Sequence, residues 1–186
     1  AMRAAAVMAL AALAVAACSD TLAQKAMYAN SPFGFSLFSL SGSGPANAPA
    51  ALDFGSLSAV RVDGALAFDI AFDIDGAGKI RVIPQKLVGA SIISPRTLGL
   101  QRVSGVYETI LLAPNKGFVV DSTVSVLRGE VVIVRMVSSN CAYQISSELY
   151  AKLVVDSVKA GGLIFGRGML NPNCGFKSLD NGIPAK

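Results

Sequence analysis

The stretch LAFDIAFDIDGAGKIRVIP, residues 66–84, decides the fold class. Leu66, Phe68, Ile70, Phe72 and Ile74 alternate strictly with Ala67, Asp69, Ala71, Asp73 and Asp75, which is the period of a strand with one buried and one wet face. DGAGK then turns the chain, Ile80-Arg81-Val82-Ile83 runs back, and Pro84 stops it. The stretch reads as a β-hairpin, with Asp and Gly supplying the turn.

Working outward, further strands are expected near 87–93, 100–112, 117–127 and 130–138, divided by SPRT, APNKG and RGE. Phe118, Val120, Val124 and Val126 are placed on one face. Val131-Val132-Ile133-Val134 is apolar on both faces, as a covered central strand is. Regularly spaced short strands predict a mainly β domain, an antiparallel sandwich or barrel. The pattern changes after Cys141. In SSELYAKLVVDSVKAGG, Leu149, Tyr150, Leu153, Val154 and Val158 fall on one helical stripe, with Glu148, Lys152, Asp156 and Lys159 largely opposite. One C-terminal amphipathic helix is expected there, followed by a last strand over 163–170 and an irregular tail.

The amino-terminal end has a different character. Arg3 is followed by an uninterrupted apolar, Ala-rich run from Ala4 to Cys18, the layout of an export signal. As a helix it would be about 22 Å long, short of the roughly 30 Å of a hydrocarbon layer. Val15-Ala16-Ala17-Cys18 resembles the lipobox of bacterial lipoproteins, an aliphatic residue and two small ones before the cysteine that receives the lipid. The resemblance covers only these residues, and Val15 stands where Leu is usual. It implies lipid attachment at Cys18, with an ordinary signal peptide or a short membrane anchor as the alternative.

Three segments follow: 1–18 as signal or anchor helix, 19–50 as a flexible tether, and 51–186 as the exported β-rich domain. The tether ends in SGSGPANAPA, a linker by composition. Within it Phe33, Phe35 and Phe38 lie in six residues flanked by serines. They are expected to contact a membrane interface or a partner groove; the alternative is that the segment folds back over an edge of the domain's own sheet. Of the three cysteines, assigning Cys18 to lipid leaves Cys141 and Cys174, which an oxidising compartment joins as a disulfide; the alternative is two buried thiols.

Residues 72–80, FDIDGAGKI, resemble the start of an EF-hand calcium loop, with Asp73, Asp75, Gly78 and Ile80 at matching positions. Ala77 and Pro84 stand where two further oxygen ligands are needed, so the calcium reading is rejected and no metal site is expected. Asp69, Asp73 and Asp75 share a strand face, but acids on an exposed face serve mainly solubility and discourage edge pairing. The chain has no histidine, which removes the commonest general base and transition-metal ligand. Nucleophile elbow and phosphate loop are missing. Gly162, Gly166 and Gly168 read as bulges or close packing. The net charge of +4 is scattered, without the basic block that follows phosphates.

These observations predict a protein that is not an enzyme and binds neither cofactor nor nucleic acid. It is expected to be exported, membrane-anchored and facing the periplasm or exterior of a bacterium, as an accessory or structural subunit of a larger envelope complex with other protein subunits as partners. The alternative is a periplasmic binding module for a lipid or other apolar ligand.

Overall fold

The computed structural model describes residues 24–64, 66–89, 92, 94–138, 141 and 146–184; the apolar run, Cys18 and the helix expected for them lie outside these. The described residues form a sandwich of two antiparallel sheets. Its strands are β1 (Ser31–Phe38), β2 (Ala51–Asp53), β3 (Ser58–Val60), β4 (Ile70–Ile74), β5 (Ile80–Pro84), β6 (Thr97–Val103), β7 (Val119–Val120), β8 (Val124–Val126), β9 (Val131–Val137), β10 (Glu148–Lys159) and β11 (Leu163–Asn171). One sheet has the order β1-β11-β10-β9-β6-β7, the other β3-β2-β4-β5-β8. A single helical turn, α1 (Gln85–Val88), follows β5.

The hairpin forms as β4 and β5 but starts only at Ile70, with Ile74 opposite Ile80 and Phe72 opposite Val82; Leu66 is exposed, and Phe68 packs in a separate cluster with Ala51 and Ala71. Asp75 organises the hairpin turn, its Oδ1 accepting the N–H groups of Ala77 and Lys79 at 2.9 Å each. Phe72, Ile70 and Val82 then face Leu100, Val132, Val134, Leu153 and Ile164 across the inter-sheet core. Asp69 is a correction to the alternation: it is fully buried. Two further corrections concern strands. Residues 85–88 are helical, where a strand was expected from 87. Phe118 packs outside the large sheet with Tyr150, whereas Val126 lies in the inter-sheet core.

The expected C-terminal helix is instead β10, twelve residues long. Leu149, Ala151, Leu153 and Val155 point into the inter-sheet core, while Tyr150 and Val154 point outward into a second apolar cluster. A strand covered on both faces loses its polar alternation, and a register shift against β11 between Val155 and Ser157 breaks the period further. What remains mimics a helical stripe.

The Phe-rich segment follows the alternative given for it, folding back onto an edge of the domain's own sheet. It is β1, the edge strand paired with β11, and Phe35 and Leu37 are buried in the core. Phe33 and Phe35 lie opposite Gly168 and Gly166. Their rings cover these glycines so closely that a Cβ at either would meet a ring carbon at 2.3 Å. Phe35 also packs on Phe72 at 5.4 Å, and Phe33 edge-on to Phe54 at 6.2 Å, so the rings join the two sheets. Phe38 is half-buried, close against Gly44. The SGSGPANAPA stretch is the crossover from one sheet to the other.

The outer face of the six-stranded sheet is covered by residues 104–116 and by the tail after β11. These two segments pair, with Ala113 N–H donating to Lys177 O at 2.8 Å and Leu179 N–H to Leu111 O at 2.7 Å. Leu179 is fully buried on Ile133 and Tyr150. The Cys141–Cys174 disulfide ties the tail to the chain leading into β10. Closing 33 residues of chain stabilises by about 3–4 kcal/mol in the chain-entropy account.

Replacing Gly166 by Val is expected to destabilise the domain by at least about 1–3 kcal/mol, because its Cβ would meet both Phe35 and the Val154 carbonyl; urea unfolding reads the loss, and an unchanged midpoint would refute the packing.

Candidate functional site

Among the described residues, two groups of buried charge remain once the apolar cores are accounted for, and each adjoins a cleft. The first belongs to the small sheet. Asp69 Oδ2 accepts the Phe54 N–H at 2.7 Å, while its Oδ1 accepts the Ser94 hydroxyl at 2.8 Å and Arg96 Nε at 2.9 Å. Arg96 Nη2 continues to Asp53 Oδ1 at 2.6 Å. Gln85 completes the network, its Oε1 accepting the Ser94 N–H at 2.5 Å and its amide donating to Ile92 O. Burial pushes the Asp69 carboxyl up, against the pull of Arg96, Phe54 and Ser94. Burial also acts on Asp53, but the Gly55 N–H, Ser56 and Arg96 outweigh it and hold that carboxyl below its usual value. Arg96 therefore bridges two acids, and the adjacent cleft is small, about 180 Å³.

The second group lies outside the six-stranded sheet. Here Lys152 projects from the centre of β10 and is only 3 % exposed. Its Nζ donates to the carbonyls of Tyr107 and Ile110 at 3.0 and 2.8 Å and stands 4.4 Å from the Tyr107 ring centroid. The Arg167 guanidinium packs on the same ring at 4.6 Å. It is paired with Glu108 at 2.7 Å and Asp156 at 3.1 Å. Burial lowers the Lys152 pKa, partly offset by Asp180 and Glu108. Burial likewise raises the Tyr107 phenol to about 12. Beside them a cleft of about 550 Å³ opens, walled by Phe33, Tyr107, Arg167, Met169 and Asp180.

The chemistry open to this cleft is limited by what its groups already do. A nucleophilic lysine needs an amine free to reach a substrate carbonyl. Lys152 instead spends two of its three donors on backbone carbonyls of the covering loop, which is how a charged side chain pins a segment to a sheet. Comparison with protein families, curated proteins and solved structures finds no match to this chain.

The residues singled out in the sequence are dispersed. Phe33 lines the large cleft, whereas Phe35 belongs to the inter-sheet core and Phe38, at the end of β1, packs against Gly44 of the crossover. Asp73 accepts the Ser41 N–H and hydroxyl at 3.0 and 2.6 Å, and Asp75 is occupied by its turn. Cys141 and Cys174 come together, and Cys18 lies outside the described residues. Sequence reading missed Asp69, Arg96 and Lys152. For Asp69 and Lys152 the available signal was a lone charge between apolar neighbours on both sides, in AFDIA and YAKLV; Arg96, in SPRTL, carries no such signal.

Arg96→Met is expected to cost about 3–5 kcal/mol, the penalty for leaving a buried acid uncompensated, with Asp69 as that acid; a denaturation midpoint within error of the parent would contradict this. In Lys152→Met the Tyr107 and Ile110 carbonyls lose their donor, at about 1–3 kcal/mol for each group left unsatisfied. Hydrogen exchange at the Ala113 and Leu179 amides should quicken in that variant, and unchanged protection would show that Lys152 does not hold the loop.

Proposed function

We propose that the protein is a non-catalytic, exported β-sandwich, held at a bacterial membrane by its amino-terminal residues and serving as an accessory subunit of a larger envelope assembly. The observation that carries the reading is that the buried charges, Asp69 and Lys152, are occupied by partners within the fold. The disulfide supports an oxidising compartment. With Cys141 and Cys174 paired, Cys18 is the one cysteine left for lipid, at the end of Val15-Ala16-Ala17-Cys18. A binding module for an apolar ligand between the sheets is less well supported, because Phe35, Leu37, Phe72, Leu100 and Met136 pack together there.

Native membranes solubilised in mild detergent should release the chain in a species larger than its monomer, and mass spectrometry of that species should find Cys18 carrying a lipid adduct. A monomer alone would remove the accessory role. An unmodified, freely soluble product starting beyond Cys18 would remove the tether.

A further inference from the structure

Several large apolar side chains stand in solvent around the tail. Met27 is 76 % exposed, Tyr28 59 %, Leu112 65 % and Ile183 62 %. Scattered singly, such residues are ordinary on a protein surface; here hydrogen bonds tie them to one short segment. The N–H groups of Met27 and Tyr28 donate to Asn173 Oδ1 at 2.9 and 3.0 Å, and Asn173 Nδ2 returns a bond to Tyr28 O. Asn30 donates from its side chain to Ser178 O and from its backbone to Gly182 O, next to Ile183. Leu112 bridges Ser178 from the other side. Beyond it, Leu111, Val103, Ile110 and Pro114 line an open apolar hollow of about 410 Å³.

Chain length sets where this rim must lie. The apolar run ends at Cys18 and the described chain starts at Gln24, six positions later. Even fully extended, six residues reach only about 20 Å. Met27 and Tyr28, nine and ten positions after Cys18, are therefore tethered within about 35 Å of the bilayer, whether Ala4–Cys18 or a lipid on Cys18 enters it. Three lysines accompany the rim: Lys25 just before it, Lys116 at the end of the covering loop, and Lys177 on the tail. Cationic side chains draw such a surface toward anionic headgroups, and a tyrosine suits the interfacial depth.

We infer that the outer side of the six-stranded sheet, around the tail, is the face that rests on an anionic lipid surface. The inference depends on the proposed tether and adds an orientation to it: the sandwich lies against the bilayer, with α1 turned away.

The chain contains no tryptophan, so one introduced tryptophan reports its surroundings without background. Full-length Leu112→Trp, Ile183→Trp and Leu87→Trp variants would be reconstituted into vesicles of phosphatidylcholine and phosphatidylglycerol with brominated acyl chains. Leu87 lies on α1, against the other sheet. The expected result is blue-shifted, bromine-quenched emission for Leu112→Trp and Ile183→Trp and unquenched emission for Leu87→Trp. Vesicle flotation with no quenching at 112 and 183 would overturn the docking face while leaving the tether intact. Equal quenching at 87 would overturn the orientation, and failure to float would overturn tether and docking face together.

Discussion

Burial of β10 on both faces is the constraint from which the rest of the architecture follows. A strand in this position needs two covers. The small sheet supplies one, bringing Phe72 and Ile80 against Leu153 and Val155. The other is irregular chain, residues 104–116 and the tail, which has to be fastened by specific contacts because it lacks the ladder of a sheet. The fastenings are the Cys141–Cys174 bond, the short pairing of 111–113 with 177–179, and the Lys152 ammonium beneath the loop. A charge at the middle of a central strand is thus explained by what it holds down.

The legible parts of the fold were those with a single dominant period. The β4–β5 hairpin has polar and apolar residues in register, and its Asp-Gly turn closes on Asp75. The run at 131–134 shows by its lack of alternation that it is covered twice. The same physics concealed β10, because Tyr150, Lys152 and Val154 face a second cluster that only the tertiary fold supplies. The partners of the β1 phenylalanines were hidden for a related reason. They are glycines about 130 positions later, and a glycine opposite an aromatic ring leaves no mark in local sequence.

The buried charges were illegible in another sense. Asp69 sits where alternation calls for a wet face, and only the return of Ser94 and Arg96 over it makes burial affordable. Lys152 is similar, since its acceptors belong to a loop 42 and 45 residues away. In both places electrostatics is used to define one arrangement of irregular chain. Both charges are thereby committed to the shape of the fold.

The pairing of β1 with β11 bears on how the molecule is made. Ser31 lies opposite Leu170, so the first strand finds its place only after nearly the entire polypeptide is available. Long-range pairings of this kind are slow to form. A chain delivered amino end first through a translocation channel would therefore emerge with its leading strand unmatched and its core incomplete. Exported as proposed, it would stay threadable throughout passage, and the final register would be set only on the far side, where the cysteines would also meet an oxidant.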